Sequence, residues 1–211
     1  MNSLARQALA GLRVLVVLTV LLGILYPLGV WAVSRLPGLA ANAEGSVVTE
    51  NGQAVGSDLI GIDPVAEDPA HDPWFHTRPS AVARDLDGDG APDLLGPADP
   101  SVSAGSNKGG FDADLVAAVR ARKEIVAARE GVDPAEVPAD AVTASASGLD
   151  PAISPAYAEL QVPRVARENG LSEEQVRALV GAHTTGRGMG VLGEPGVRVL
   201  TLNLAVQAAR R

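Results

Sequence analysis

Between Val14 and Ser34 the chain runs for twenty-one residues, VLVVLTVLLGILYPLGVWAVS, without a charge. At a helical rise of about 1.5 Å per residue, such a run reaches across a hydrocarbon core of roughly 30 Å, which predicts a single transmembrane helix. The run is apolar all round rather than along one stripe, which argues against the core helix of a globular protein. A cleaved secretory leader would share the basic start, and Ala41-Asn42-Ala43 has the form of a cleavage site. A leader's apolar region is only about 7 to 15 residues long, however, so a permanent anchor is the better reading.

The flanks orient the span. Arg6, Arg13 and the amino terminus precede it, whereas beyond Arg35 the next basic residue is Arg78. Because cytoplasmic flanks carry the excess of positive charge, residues 1–13 are expected in the cytoplasm and 14–34 across the membrane, with 35–45 as a linker. Residues 46–211 are then extracytoplasmic. Tyr26 and Trp31 fall toward the outer interface, where amphipathic rings are favoured. Gly23, Tyr26, Pro27 and Gly29 place small or backbone-breaking residues within two turns. Helices approach closely in lipid through such surfaces, so these four are predicted to contact a membrane partner.

Beyond residue 43 the chain carries 14 basic and 25 acidic residues, a net charge of −11. Such a surface repels phosphate backbones, and only Trp74, Phe75, Phe111 and Tyr157 remain as aromatics, so nucleic acid is excluded as a partner. The absence of cysteine removes disulfides, thiolate catalysis and Cys-ligated zinc together. About 170 residues suffice for one domain with a real core.

Within that domain, residues 46–55 read as two short strands about Asn51-Gly52, because both residues tolerate positive φ. Residues 62–110, punctuated by Pro, Gly and Asp, should be mostly loop. Asp112 as N-cap and Gly131 as C′ bracket a helix with Leu115, Val119 and Val126 near one face; Arg120, Lys123 and Glu130 on the other predict a solvated surface. Ser154-Pro155 opens a further helix that should bend or restart at Pro163 and stop before Gly170. Ser172 to Gln175 form a capping box, with Leu171 placed to staple against Val176 and with Val176, Leu179 and Val180 facing the core. Alternation from Val197 to Leu204 predicts a final strand. Strands at both ends with helices between them give a mixed α/β (α+β) extracytoplasmic domain on one N-terminal transmembrane helix.

Few motifs carry chemistry. Gly188 to Gly193 match G-x-G-x-x-G, but the run follows a helix and leads into a strand, so a tight turn is expected rather than a dinucleotide site. Neither a G-x-x-x-x-G-K-[ST] loop nor the D-K-T-G of P-type pumps occurs, so this chain by itself does not cleave ATP. Asp85, Asp87, Asp89 and Asp93 alternate around Gly90 and could converge on calcium, although Gly96 stands where an EF-hand needs its bidentate Glu. A membrane-anchored extracytoplasmic domain that binds a divalent cation is therefore one reading; a solvated acidic loop is the other. His71 and His76 are too loosely spaced for a metal site, and His183 ends a helix, where its charge would suit the dipole. The loop Thr143 to Pro151 offers hydroxyls, a glycine and an acid that could hold phosphate oxygens or could cap its own backbone.

That loop and its continuation to Val206 resemble the C subunit of the Kdp potassium-transporting P-type ATPase, the KdpC family. The likeness includes Leu25-Tyr26-Pro27-Leu28, Gly56 to Gly61, Trp74 to Ala81 and Gly105-Ser106-Asn107. Thr77, Lys108, Gly110, Ala146 and Ala152 depart from the family pattern, and Asp85 to Asp93 looks like an insertion between family blocks. The resemblance implies an accessory, non-catalytic subunit of a potassium-importing complex, with a P-type catalytic subunit and a channel-like subunit as partners. It also implies a catalytic chaperone that raises the ATP affinity of the catalytic subunit, and it points to Ser145, Ser147, Gly148, Asp150 and Gln161 as nucleotide-binding candidates. An extracytoplasmic domain cannot itself touch cytoplasmic ATP, so coupling through the membrane helix, or action at the potassium entrance, is favoured.

Overall fold

The computed structural model describes residues 2–210 and divides into two compact units, with the boundary between Val47 and Val48. The first unit is dominated by one apolar helical run, Ser3–Ser34, long enough to cross a membrane by length and composition. It consists of α1 (Ser3–Val20), a π-helical turn (Leu21–Leu25) and α2 (Tyr26–Ser34), and none of these residues is buried within the chain. The π turn has an identifiable cause. Pro27 lacks an N–H and its ring would press on the carbonyl of Gly23, so the helix widens just before it, and the Tyr26 N–H reaches back five residues to Leu21. The short helix α3 (Ala40–Ala43) follows, and Arg35 is hydrogen-bonded to Glu44.

The second unit opens with a hairpin of β1 (Val47–Glu50) and β2 (Gln53–Ser57). Its turn residues Asn51 and Gly52 take φ of 50° and 79°, the pair of left-handed conformations that matches the twist of a two-residue hairpin. Residues 62–110 are irregular, with only a 3-10 turn at Pro69–His71 and an isolated bridge between Ala83 and Ala98. Next comes α4 (Ala113–Glu130), capped by the Asp112 carboxylate on the N–H groups of Asp114 and Leu115 and ended by left-handed Gly131. A three-stranded antiparallel sheet, in the order β3 (Ala152–Ile153), β5 (Gly196–Arg198), β4 (Thr184–Thr185), is small. Helices α5 (Pro155–Asn169), α6 (Glu173–Ala182) and α7 (Val199–Ala209) supply most of the packing surface. A mixed α/β domain following one apolar helix is the architecture expected.

The core is built on Phe75, Val126, Tyr157, Val162, Val165, Val176, Val197 and Leu202, all fully buried. Four expectations are corrected by it. The strand anticipated from Val197 to Leu204 is a strand only to Arg198 and then becomes α7, because Val199, Leu202, Asn203 and Val206 fall on one helical face and are buried together. A run rich in Val and Leu satisfies both periods over a few residues, and packing chose the helix. The restart allowed at Pro163 does not occur: α5 is one continuous helix that contains this proline. The glycine run 188–193 is the loop of a hairpin between β4 and β5, closed by a bridge from Gly188 to Leu192, and not a helix-to-strand turn. Finally, Glu130 does not belong to a solvated face: its side chain is fully buried. Val176 and Val180 are buried as expected, and the Ser172–Gln175 capping box forms.

Candidate functional site

The turn Thr143 to Pro151 is held by backbone-to-backbone approach on three sides. Ser145 N–H donates to the Pro79 carbonyl, Gly61 N–H to the Leu149 carbonyl, and the Ser103 hydroxyl to the Ser147 carbonyl. A Cβ at Gly61 would lie 2.3 Å from the Asp150 oxygen, and one at Gly105 2.7 Å from the Ala146 oxygen, so both positions require glycine. Segments 56–61, 74–81 and 105–107, remote in sequence, thus meet on this one turn.

Ser145, Ser147, Gly148 and Asp150 are brought together there, but mainly to one another and to the chain. The Ser145 and Ser147 hydroxyls lie 3.1 Å apart, and the latter accepts the Leu149 N–H. Gly148 takes φ of 73° and is buried against Ala104 and Ser80. One Asp150 carboxylate oxygen accepts the Ala152 N–H and the other receives Arg78 Nη1 at 3.0 Å. Gln161 is elsewhere, fully buried in α5, its amide accepting from the His76 N–H and donating to the His76 carbonyl. Gln161 thus shares no hydrogen bond with the other four.

The feature that sequence reasoning missed is the buried polar assembly around Asp72 to His76. This extended segment runs through the core with no strand partner, and side-chain amides and a guanidinium take the place of a neighbouring strand. Asn203 closes both backbone groups of Phe75, and Gln161 both of His76. Arg164 Nη1 donates to the carbonyls of Asp72 and Trp74, and Asn169 donates to Pro73. Buried backbone is thereby satisfied without a ladder. Arg164 also grips Glu130 through two parallel bonds, Nε to Oε2 at 2.9 Å and Nη2 to Oε1 at 3.1 Å. Beside it, Arg129 donates to Glu130 at 2.7 Å and to the Tyr157 hydroxyl at 2.9 Å.

His76 sits between two carboxylates, its Nδ1 3.0 Å from Asp63 and its Nε2 hydrogen-bonded to Asp72. Burial alone would push this histidine toward the neutral form, but Asp63 and Asp72 outweigh burial and raise its pKa. Burial likewise opposes ionisation of Asp72, yet the bond from His76, the charge behind it and the Trp74 N–H hold that carboxyl at about 2. A cleft of about 360 Å³ opens on Asp63, Asp72, His76 and Arg129, with Val65, Leu95 and Ile125 on its walls. His183 differs from expectation: burial lowers its pKa, so the charge anticipated at the end of α6 is disfavoured, and its Nδ1 meets the Thr201 hydroxyl instead.

In the acidic loop, ligand oxygens of Asp85, Asp87 and Asp89 lie within 4.8 Å of one another on an exposed surface, while Asp93 stands apart from that group and accepts the Leu86 N–H. Asp85 is already occupied by the N–H groups of Gly88, Asp89 and Gly90, which lower its pKa and cap the turn. Gly23, Tyr26, Pro27 and Gly29 lie along the apolar helix at and just after the π turn, and all four are exposed among the described residues.

The family profile described as "KdpC: K+-transporting ATPase, c chain" matches residues 8–208, the apolar helix and the domain together. The chain belongs to the KdpC family. The potassium-transporting ATPase KdpC subunit of Kineococcus radiotolerans is 49% identical over 209 residues, 99% of this chain and 97% of that protein. Those of Streptomyces avermitilis and Rhodopseudomonas palustris (strain BisB18) are 43% identical over 216 residues and 45% over 199, covering 96% and 93% of this chain and 94% of each relative. The resemblance carried by the sequence blocks is confirmed. The blocks at 56–61, 74–81 and 105–107, which carry the resemblance, all reach the 143–151 turn.

Proposed function

We propose that this chain is the accessory subunit of an ATP-driven potassium import complex, assembled with a P-type catalytic subunit and a channel-like subunit. Its N-terminus lies in the cytoplasm and its mixed α/β domain outside. The observation that carries this reading is the family match over residues 8–208, joined to a single apolar helix within the same match. A role in raising the ATP affinity of the catalytic subunit is retained in its indirect form, in which the chain favours one conformation of its partner through the membrane helix. What supports the indirect form is chemical. Gln161 is sealed in the core, Asp150 is neutralised by Arg78, and the hydroxyls of Ser145 and Ser147 are turned to each other.

The test is recovery of the chain through a C-terminal tag from membranes solubilised in mild detergent. Two larger membrane subunits and potassium-stimulated ATP hydrolysis are expected with it; recovery alone overturns the reading. Titration of ATP into the purified chain separates the two forms of coupling. No heat is expected, and saturable binding would restore direct nucleotide contact.

A further inference from the structure

Arg122 is buried without an anion. It lies on α4, 7% exposed, and its guanidinium donates only to main-chain carbonyls, Nε to Leu94 at 2.8 Å and Nη1 to Val142 at 3.3 Å. Nη2 has no protein acceptor among the described residues, and Arg122 lines a cavity of about 640 Å³. Carbonyl partners satisfy hydrogens but bring no charge, and a desolvated cation without a counter-ion is costly. Burial depresses the pKa of this arginine, and it makes no ion pair among the described residues. The other buried or half-buried arginines of the domain differ: Arg78, Arg129, Arg164 and Arg198 each face a carboxylate.

The cavity is built for more than a bare ion. Asp114, Leu115, Ala118 and Arg122 present one face of α4, and Val82, Leu94 and Ala144 close much of the remainder. The Ser80 and Ser106 side chains add hydroxyls. Lys108, also on the wall, is already engaged by Asp114 at 2.6 Å and Asp112 at 3.4 Å, so Arg122 is the cation of this wall that has no ion pair among the described residues. Asp93 and Asp114 at the cavity oppose a multiply charged ligand. A planar guanidinium fork without an ion pair, a lining whose two cations and two carboxylates cancel, and apolar walls together select a singly charged carboxylate on an apolar body, and disfavour phosphate and polyphosphate.

We propose that the cavity between α4, segment 80–82 and segment 91–94 is a binding site for a small organic acid, whose carboxylate is held by Arg122 and whose apolar part lies along Leu115 and Ala118. The site borders the 143–151 turn through Ala144, so an occupant would brace the junction of the family blocks from outside.

N-acetylleucine serves as probe, titrated calorimetrically into the full chain in lipid nanodiscs at neutral pH, with its neutral amide and inorganic phosphate for comparison. Saturable binding of the acid is expected, with the amide and phosphate each weaker by at least about tenfold, the scale of a lost charge-assisted fork. Arg122→Lys keeps the charge but not the fork and should weaken binding by a similar factor. Ala118→Phe, one turn before Arg122 on the same face of α4, fills the cavity while leaving the arginine in place and should abolish binding, which keeps the test decisive if the arginine variant fails to fold. Absence of binding by the acid, equal binding by the amide, tighter binding by phosphate, or full binding by Ala118→Phe would each overturn the proposal.

Discussion

The helix Ser3–Ser34 and the segment Asp72–His76 solve opposite problems. In the helix every apolar side chain points outward and none is buried, while the backbone bonds internally, even across Pro27, by way of a π turn. In the domain a stretch of backbone with no ladder is taken into the core, and Asp63, Asp72, Glu130, Arg129 and Arg164 go in with it, paired around His76, Tyr157 and Gln161. The comparison teaches that each region is matched to what surrounds it. Lipid accepts apolar side chains but no unpaired backbone, whereas an aqueous domain can internalise charge provided every lone pair and hydrogen finds a partner. Stability in the second case hangs on few contacts; in the first it is spread along the surface and depends on neighbours outside the chain.

The sharpest way to break this contrast is to remove one member of the buried pair. Glu130→Ala leaves Arg164, whose side chain is 4% exposed, without its bidentate carboxylate and with only Asp72 at 3.7 Å, and should destabilise the domain by about 3–5 kcal/mol. Urea unfolding followed by Trp74 fluorescence, in a Trp31→Phe background, reads this directly. A loss below about 1 kcal/mol would place the pair among ordinary surface bridges.

Acid provides a smaller and reversible perturbation. Asp72 titrates near 2 in the folded domain against 3.8 unpaired, so its contribution is complete above about 4 and is lost as the pH falls toward 2; the shift corresponds to about 2 kcal/mol. His76 acts with the opposite sign. Its raised pKa contributes stability that is full below 6.5 and fades as the pH rises through the folded value. Unfolding free energy measured against pH should therefore pass through a maximum between about 4 and 6.5, and His76→Gln should flatten the alkaline side. A profile that His76→Gln leaves unchanged would remove histidine from the account.

The helix should be nearly silent in the same assay. Replacing Val14 to Ser34 by polyleucine of equal length is expected to leave the unfolding midpoint of the domain unchanged and the chain in the membrane. It should reduce recovery of the larger subunits in the tag experiment, because Gly23 and Gly29 no longer admit a close neighbour. Undiminished recovery would make the helix a tether only.

Much of this was legible in the residues, and the reasons divide cleanly. Local chemistry specified the elements whose energetics are local: the apolar run 14–34, the Asn51-Gly52 turn, the Asp112 and Ser172 caps and the Gly131 and Gly170 stops. Each depends on groups within a few residues of one another, so spacing alone reveals it. The family was legible as well, through blocks that meet on the 143–151 turn. What tertiary structure alone decided is where long-range pairing overrules local pattern. Val199 to Leu204 alternates like a strand and is helical because one helical face completes the core; Glu130 looks like surface and is buried because Arg164, thirty-four residues on, arrives beside it; Gln161 looks like a ligand residue and serves as the missing neighbour of the His76 backbone. A charge can be buried only when its partner is fixed in space, and no spacing within one segment encodes that partner.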